Sequence, residues 1–370
     1  MLSLLKTTVL VTLLAAITNG TPIEKRHNKF IVHELERDGF NSLDKRTPSE
    51  SQWFADTGAR WYTKLKLGSS QEPVRVTVDT GSVRLNVPVP GATCQKKTCA
   101  ADAVFHPENS STFKNSTKES DSAYGDGSAV TKSFKANDDL YFDDGRKIPD
   151  FEFDVSYISS GDIGVFGVGE SQDVQSNYVF ASKNAGLINR AGYSVYLGQE
   201  NQGTLLLGGI DKAKYEGELA LFDAEQNINA TSITTASGKV FPFEKLVGFD
   251  TGNAWVSLEK YMVEGIRAEL HQDQFGLFDC KRVLDTTDKF TFDLGPINIT
   301  VPYSNFFYRI PGDESRCGSH IYDDSNSGGL PGIGLPFLRE VYFVKDLETK
   351  HIGIAPVKHT TDTDIVDFWF

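Results

Sequence analysis

The sequence predicts a mostly β protein made of two related halves, and three observations lead there. Asp79-Thr80-Gly81 closes the apolar run Val76-Thr77-Val78, and 171 residues later Asp250-Thr251-Gly252 closes Leu246-Val247-Gly248-Phe249. A Gly-rich apolar segment follows each turn at nearly the same distance. Gly167, in Gly164-Val165-Phe166-Gly167-Val168-Gly169, lies 88 residues after Asp79; Gly334, in Gly332-Ile333-Gly334-Leu335-Pro336-Phe337, lies 84 after Asp250. Between Gly, Asn and Asp clusters run short alternating stretches of Val, Phe, Tyr and Thr, as in residues 61–67 and 204–207, and Phe contributes 25 residues against 2 for Met. Two paired signals at matching spacing indicate a duplicated half.

Each element of that pattern has a chemical meaning. A strand delivers Asp into a tight turn, Gly lets backbone approach the carboxylate closely, and Thr braces the loop through its hydroxyl. Two such carboxyls held together cannot both ionise, so one keeps a proton and the pair is suited to acid-base work. A third copy, Asp56-Thr57-Gly58, has no preceding apolar strand and reads as a chance match. Helical candidates are few and short, chiefly residues 258–266.

At the amino terminus Lys6 precedes an apolar stretch from Thr7 to Ile17 and the small or polar Thr18, Asn19 and Gly20, which predicts a signal peptide over 1–20. That stretch is too short to span a bilayer, and no later segment could. The dibasic pairs Lys25-Arg26 and Lys45-Arg46 predict a pro-segment over 21–46 and a mature start near Thr47. From 47 onward 30 Lys and Arg face 45 Asp and Glu, a formal charge of −15. Such an acidic body argues against a nucleic-acid partner and suits low pH, where carboxylates are partly protonated.

Four cysteines in a secreted chain predict two disulfides with three possible pairings. Joining Cys94 to Cys99 and Cys280 to Cys317 keeps each bridge within one half. No His-Cys spacing supports a metal site, and none is expected. Sequons at Asn109, Asn115, Asn229 and Asn298 predict glycosylated surface loops.

Taken together these residues resemble the pepsin-like aspartic proteases, most of all the secreted yeast candidapepsins and yapsins. The similarity runs from about Arg60 to Val357. It includes the two Asp turns, the flap-like Ala123-Tyr124-Gly125-Asp126-Gly127-Ser128, Tyr193-Ser194-Val195-Tyr196-Leu197, the stretch from Leu207 to Tyr215, and the closing Pro336-Phe337-Leu338-Arg339. The resemblance implies a bilobal fold, two β lobes about a pseudo-twofold axis, here 47–207 and 208–370, with a cleft between them. It implies Asp79 and Asp250 as the catalytic pair, with Gly81 and Gly252 in their turns, Thr80 and Thr251 as paired locking hydroxyls, and Ser82 as a hydroxyl bonding its Asp. Tyr124, with Gly125 and Asp126, would close a flap over an extended peptide.

Departures from the family pattern are Val83, Arg84 and Asn86, where relatives have Ser, an acidic or amide residue, and Trp. Asn253 and Ala254 follow the second turn in place of Ser or Thr, and Leu335 stands where Asp or Asn is common. Asn253 can still donate through its amide, whereas Asn86 lacks the indole that holds the flap Tyr. The expected activity is a secreted acid endopeptidase, monomeric and without cofactor, acting on peptide or protein substrates in the medium, cell wall or vacuole. The alternative is a non-catalytic homologue that binds peptides in the same cleft. No Gly-x-Ser-x-Gly elbow, His-Glu-x-x-His signature or phosphate loop points to another enzyme class.

Overall fold

The structure is a computed structural model that describes residues 29–37 and 60–370, except 96, 126, 127, 172, 200, 327 and 328. The signal peptide, both dibasic pairs, the Asp56 copy of the turn and Asp126 of the flap lie outside the described residues.

Apolar alternation places the strands. Trp61–Leu67 buries Trp61, Leu65 and Leu67 as the sequence leads one to expect, and the 204–207 run lies within a strand over Gln202–Leu207. We label the first four strands β1 (Ile31–Arg37), β2 (Trp61–Leu67), β3 (Glu72–Asp79) and β4 (Leu85–Cys94). They belong to one sheet that runs through both halves. Its order begins with Ala220–Asp223, His351–Pro356, Val341–Asp346, Gly192–Leu197 and Gln202–Leu207, passes through β1, β2 and β3, and continues with Gly164–Gly167, β4, Lys147–Ser159, Ala129–Tyr141 and Lys114–Glu119. Smaller sheets complete the second half, and an aromatic core of Phe249, Phe292, Phe306 and Phe337 fills it. The fold is bilobal and mostly β.

The helix expected over 258–266 forms later, at Lys260–Glu269. Leu258 instead ends a buried strand beside Asp323, and Glu259 caps the helix, its carbonyl accepting the first helical N–H groups, from Met262 and Val263, while its carboxylate accepts the backbone N–H of Glu244. Not foreseen was β1, which lies inside the segment expected to be removed. It pairs antiparallel with the strand at Gln202–Leu207 from Ile31 opposite Leu207 to Glu36 opposite Gln202, and meets β2 at Arg37 opposite Trp61. Ile31, His33 and Leu35 point inward, and His33 Nε2 lies 2.7 Å from the Tyr178 hydroxyl.

Cys94–Cys99 and Cys280–Cys317 form the two disulfides, one in each half. All four sequon asparagines are exposed. Among the described residues no helix is long and apolar enough to cross a membrane. Loop-closure entropy makes the bridges unequal, since they span 5 and 37 residues. Replacing Cys280 and Cys317 by Ser should cost about 4 kcal/mol in denaturant unfolding, and the same change at Cys94 and Cys99 about 2 kcal/mol.

Candidate active site

The two Asp turns meet between the halves by repeating one local construction. In the first, β3 runs parallel to Gly164–Gly167, with Gly167 opposite Asp79. In the second, Val247–Phe249 runs parallel to Gly332–Ile333, with Phe249 opposite Ile333. The matching Gly segments seen in the sequence are thus the strands that flank each Asp.

The halves are locked by an exchange of hydrogen bonds. Thr80 N–H donates to Thr251 Oγ1 at 3.1 Å, and Thr251 N–H donates to Thr80 Oγ1 at 3.0 Å. Each hydroxyl then donates to the opposite strand, Thr251 to Val78 O at 2.9 Å and Thr80 to Phe249 O at 3.4 Å. Both threonines are buried, so every one of these polar groups needs its partner.

Above this lock the carboxyls of Asp79 and Asp250 hydrogen-bond one another. A Cβ on Gly81 would stand 2.5 Å from Asp250 Cγ, and one on Gly252 would stand 2.6 Å from Asp79 Oδ1. Only Gly at both positions permits this approach. Gly81 and Ser82 N–H donate to Asp79 Oδ1 at 2.8 and 3.1 Å, so that oxygen carries no proton. Gly252 N–H donates to Asp250 Oδ1 at 2.7 Å. Burial, and next the neighbouring charge of Asp79, raise the Asp250 carboxyl well above the usual carboxylate range. Burial beside a like charge thus favours the protonated form of Asp250.

Ser82 and Asn253 act differently from the sequence expectation. Ser82 reaches Asp79 through its backbone N–H, while its buried hydroxyl has no hydrogen-bond partner among the described residues. Asn253 sends no side-chain hydrogen bond to either carboxyl; its Oδ1 accepts Trp255 N–H at 3.0 Å, and its carbonyl accepts Leu335 N–H at 2.9 Å. A longer side chain at this corner folds back on its own turn.

Both Asp residues line a cavity of about 620 Å³ shared with Tyr124 and Gly125. Tyr124 stands at the end of a hairpin, where Ser122 and Ala123 pair with Val130 and Ala129 and Tyr124 N–H donates to Ser128 O at 2.9 Å. Asn86 is buried and its amide donates to Ser133 Oγ at 3.0 Å, within the sheet. Arg84 pairs with Asp154 at 3.3 Å and bonds Ser120. Glu170, Tyr193, Glu225 and Lys345 also line the cavity and were not foreseen, because no local motif marks them. Among the described residues no group of three or more His, Cys, Asp or Glu is placed to hold a metal ion.

The eukaryotic aspartyl protease family model matches residues 60–357. The chain belongs to this family. Its members are aspartic endopeptidases, and so is this chain by class. Among curated relatives, Secreted aspartic protease 5 of Candida albicans is 28% identical over 93% of this chain and 86% of its own. Candidapepsin of Candida tropicalis is 28% identical over 93% and 92%. Secreted aspartic protease 10 of Candida albicans is 28% identical over 82% and 73%.

Two predictions follow from this geometry. Thr80→Val removes one donor and strands the buried Thr251 N–H, so it should cost about 1–3 kcal/mol in urea unfolding, whereas Ser82→Ala should change stability by less than about 0.5 kcal/mol. The second concerns pH. A carboxyl whose folded pKa is raised binds its proton more tightly folded than unfolded, so its stabilising effect is lost as pH rises above the ordinary carboxylate range. Asp250→Asn should therefore match the wild-type Tm near pH 3 and exceed it by about 2–4 °C at pH 7, as read by differential scanning fluorimetry.

Proposed function

We propose that this protein is a secreted endopeptidase that hydrolyses extended polypeptides at acidic pH through Asp79 and Asp250. The observation that supports it is the pair of facing carboxyls at the floor of a cleft, with the protonated form of Asp250 favoured. In this reading Asp79, whose Oδ1 receives two backbone amides, takes a proton from a water poised between the carboxyls. Asp250 donates its proton to the scissile carbonyl oxygen as the water oxygen bonds to carbon. The resulting diol collapses when the Asp79 proton passes to the leaving nitrogen, a diol hydroxyl returns its proton to Asp250, and the C–N bond breaks, which restores the starting pair. No covalent enzyme intermediate forms, and no cofactor is called on. Tyr124, on its hairpin beside the cleft, would close over the peptide once bound.

Secretion rests on the signal-like amino terminus and on the secreted relatives. Residues 21–46 are read as a pro-segment that ends at Lys45-Arg46. Cutting there would leave β1 paired along six residues with Gln202–Leu207, so dissociation of the pro-segment would be a step separate from cleavage. A monomer without nucleic-acid affinity fits the acidic body.

Cleavage of denatured haemoglobin or casein between about pH 3 and 6 tests the reading. Asp79→Asn and Asp250→Asn should each lower kcat by at least about 10²–10⁴-fold with the fold intact by circular dichroism. Activity should fall at higher pH, where Asp250 gives up the proton it must donate. Equal turnover by wild type and Asp79→Asn overturns the mechanism. Tight binding of a statine-type peptide without turnover identifies a peptide-binding protein instead.

A further inference from the structure

The cavity holding the dyad continues to a polar group that the catalytic reading leaves unused. Tyr193, from the strand at Gly192–Leu197, is only 2% exposed and lines this cavity. Its hydroxyl makes no hydrogen bond among the described residues. Asp79, Asp250 and Glu170 line the same cavity, and burial, then their charges, hold the phenol above its ordinary range. A buried hydroxyl open to a cleft and lacking a partner is a place where a ligand atom gains a hydrogen bond.

The surroundings decide which kind of atom. Lys345 is 4% exposed, donates to Ala224 O at 2.9 Å and to Glu225 O, and lies 3.8 Å from Glu170 Oε2. Lys350 lies 2.7 Å from Glu225 Oε1 and 3.9 Å from Glu170 Oε1. The Glu170 and Glu225 carboxyls hydrogen-bond each other. Burial and then that bond push Glu170 up to about 7, so in acid it is neutral. Lys345, lowered to about 8 by burial, stays charged there. The other charge near this group, Asp346, is paired with Arg190 at 2.6 Å. In acid, two ammonium groups then face the single carboxylate of Glu225. A second cation is disfavoured, and an apolar side chain would leave Tyr193 unpaired.

We propose that Tyr193, backed by Glu170, Glu225 and Lys345, forms a specificity subsite that takes a hydrogen-bond-accepting substrate side chain, Glu or Gln, at one position near the scissile bond. The inference rests on the proteolytic reading of the cleft. It assigns selectivity to residues from both halves, since Glu170 follows the first Gly segment and Glu225 follows Ala220–Asp223.

The test is a peptide library randomised at every position, cleaved at about pH 4, followed by kcat/KM for matched peptides with Glu, Gln, Leu or Lys at the selected position. Wild type should favour Glu and Gln over Leu and Lys by about tenfold or more, and Tyr193→Phe should lower that ratio about tenfold. Glu170→Gln should keep the full preference at about pH 7, where half-ionisation of Glu170 weakens it in wild type. A wild-type profile without an acceptor preference at any position overturns the subsite, whether or not the variants fold. Ratios in Tyr193→Phe equal to wild type overturn it as well. No turnover of any peptide by wild type overturns the proteolytic reading itself, and the subsite falls with it.

Discussion

The reciprocal bonds between Thr80 and Thr251 are the constraint from which the rest of the site follows. Each hydroxyl accepts an amide from the other turn and donates to a carbonyl beneath it, so six polar groups are satisfied by four hydrogen bonds only when the two halves sit in one relative position. A small shift leaves several of them unpaired away from water, which is far costlier than the loss of one exposed contact. The lock holds two aspartates together that would otherwise repel.

That enforced closeness supplies the chemistry. With Gly81 and Gly252 giving up side-chain volume, each carboxyl rests against the other turn, and burial together with the charge of Asp79 keeps a proton on Asp250. The halves are not equivalent here. Ser82 N–H reaches the Asp79 carboxyl, whereas at the matching corner Asn253 N–H goes to the Asp250 backbone carbonyl and its side chain to Trp255. The asymmetry arises outside the Asp-Thr-Gly motif, which is identical in the two halves.

Much of this was legible in the chain. Strand alternation at Trp61–Leu67, the paired Asp turns and the Gly segments all reflect local rules of period and turn chemistry, and all appear where those rules place them. Legibility ended where a side chain chooses among distant partners. Ser82 was expected to act through its hydroxyl and acts through its N–H. Asn86, known from sequence only as a missing indole, is bonded to Ser133, 47 residues away. The strand β1 was hidden because Ile-Val-His-Glu-Leu-Glu-Arg alternates weakly, and its partner at Gln202–Leu207 is remote in sequence.

By itself, the sequence determined that two Asp-Thr-Gly turns exist in duplicated, mostly β halves with cysteines to bridge each, since turn geometry and strand period are properties of neighbouring residues. Tertiary packing alone set the burial that raises Asp250 beside Asp79, turned the Asn253 side chain away from both, and brought Tyr193, Glu170, Glu225 and Lys345 to the same cleft. Those outcomes depend on desolvation and on distances between groups far apart in the chain, and neither is set until the halves close on each other.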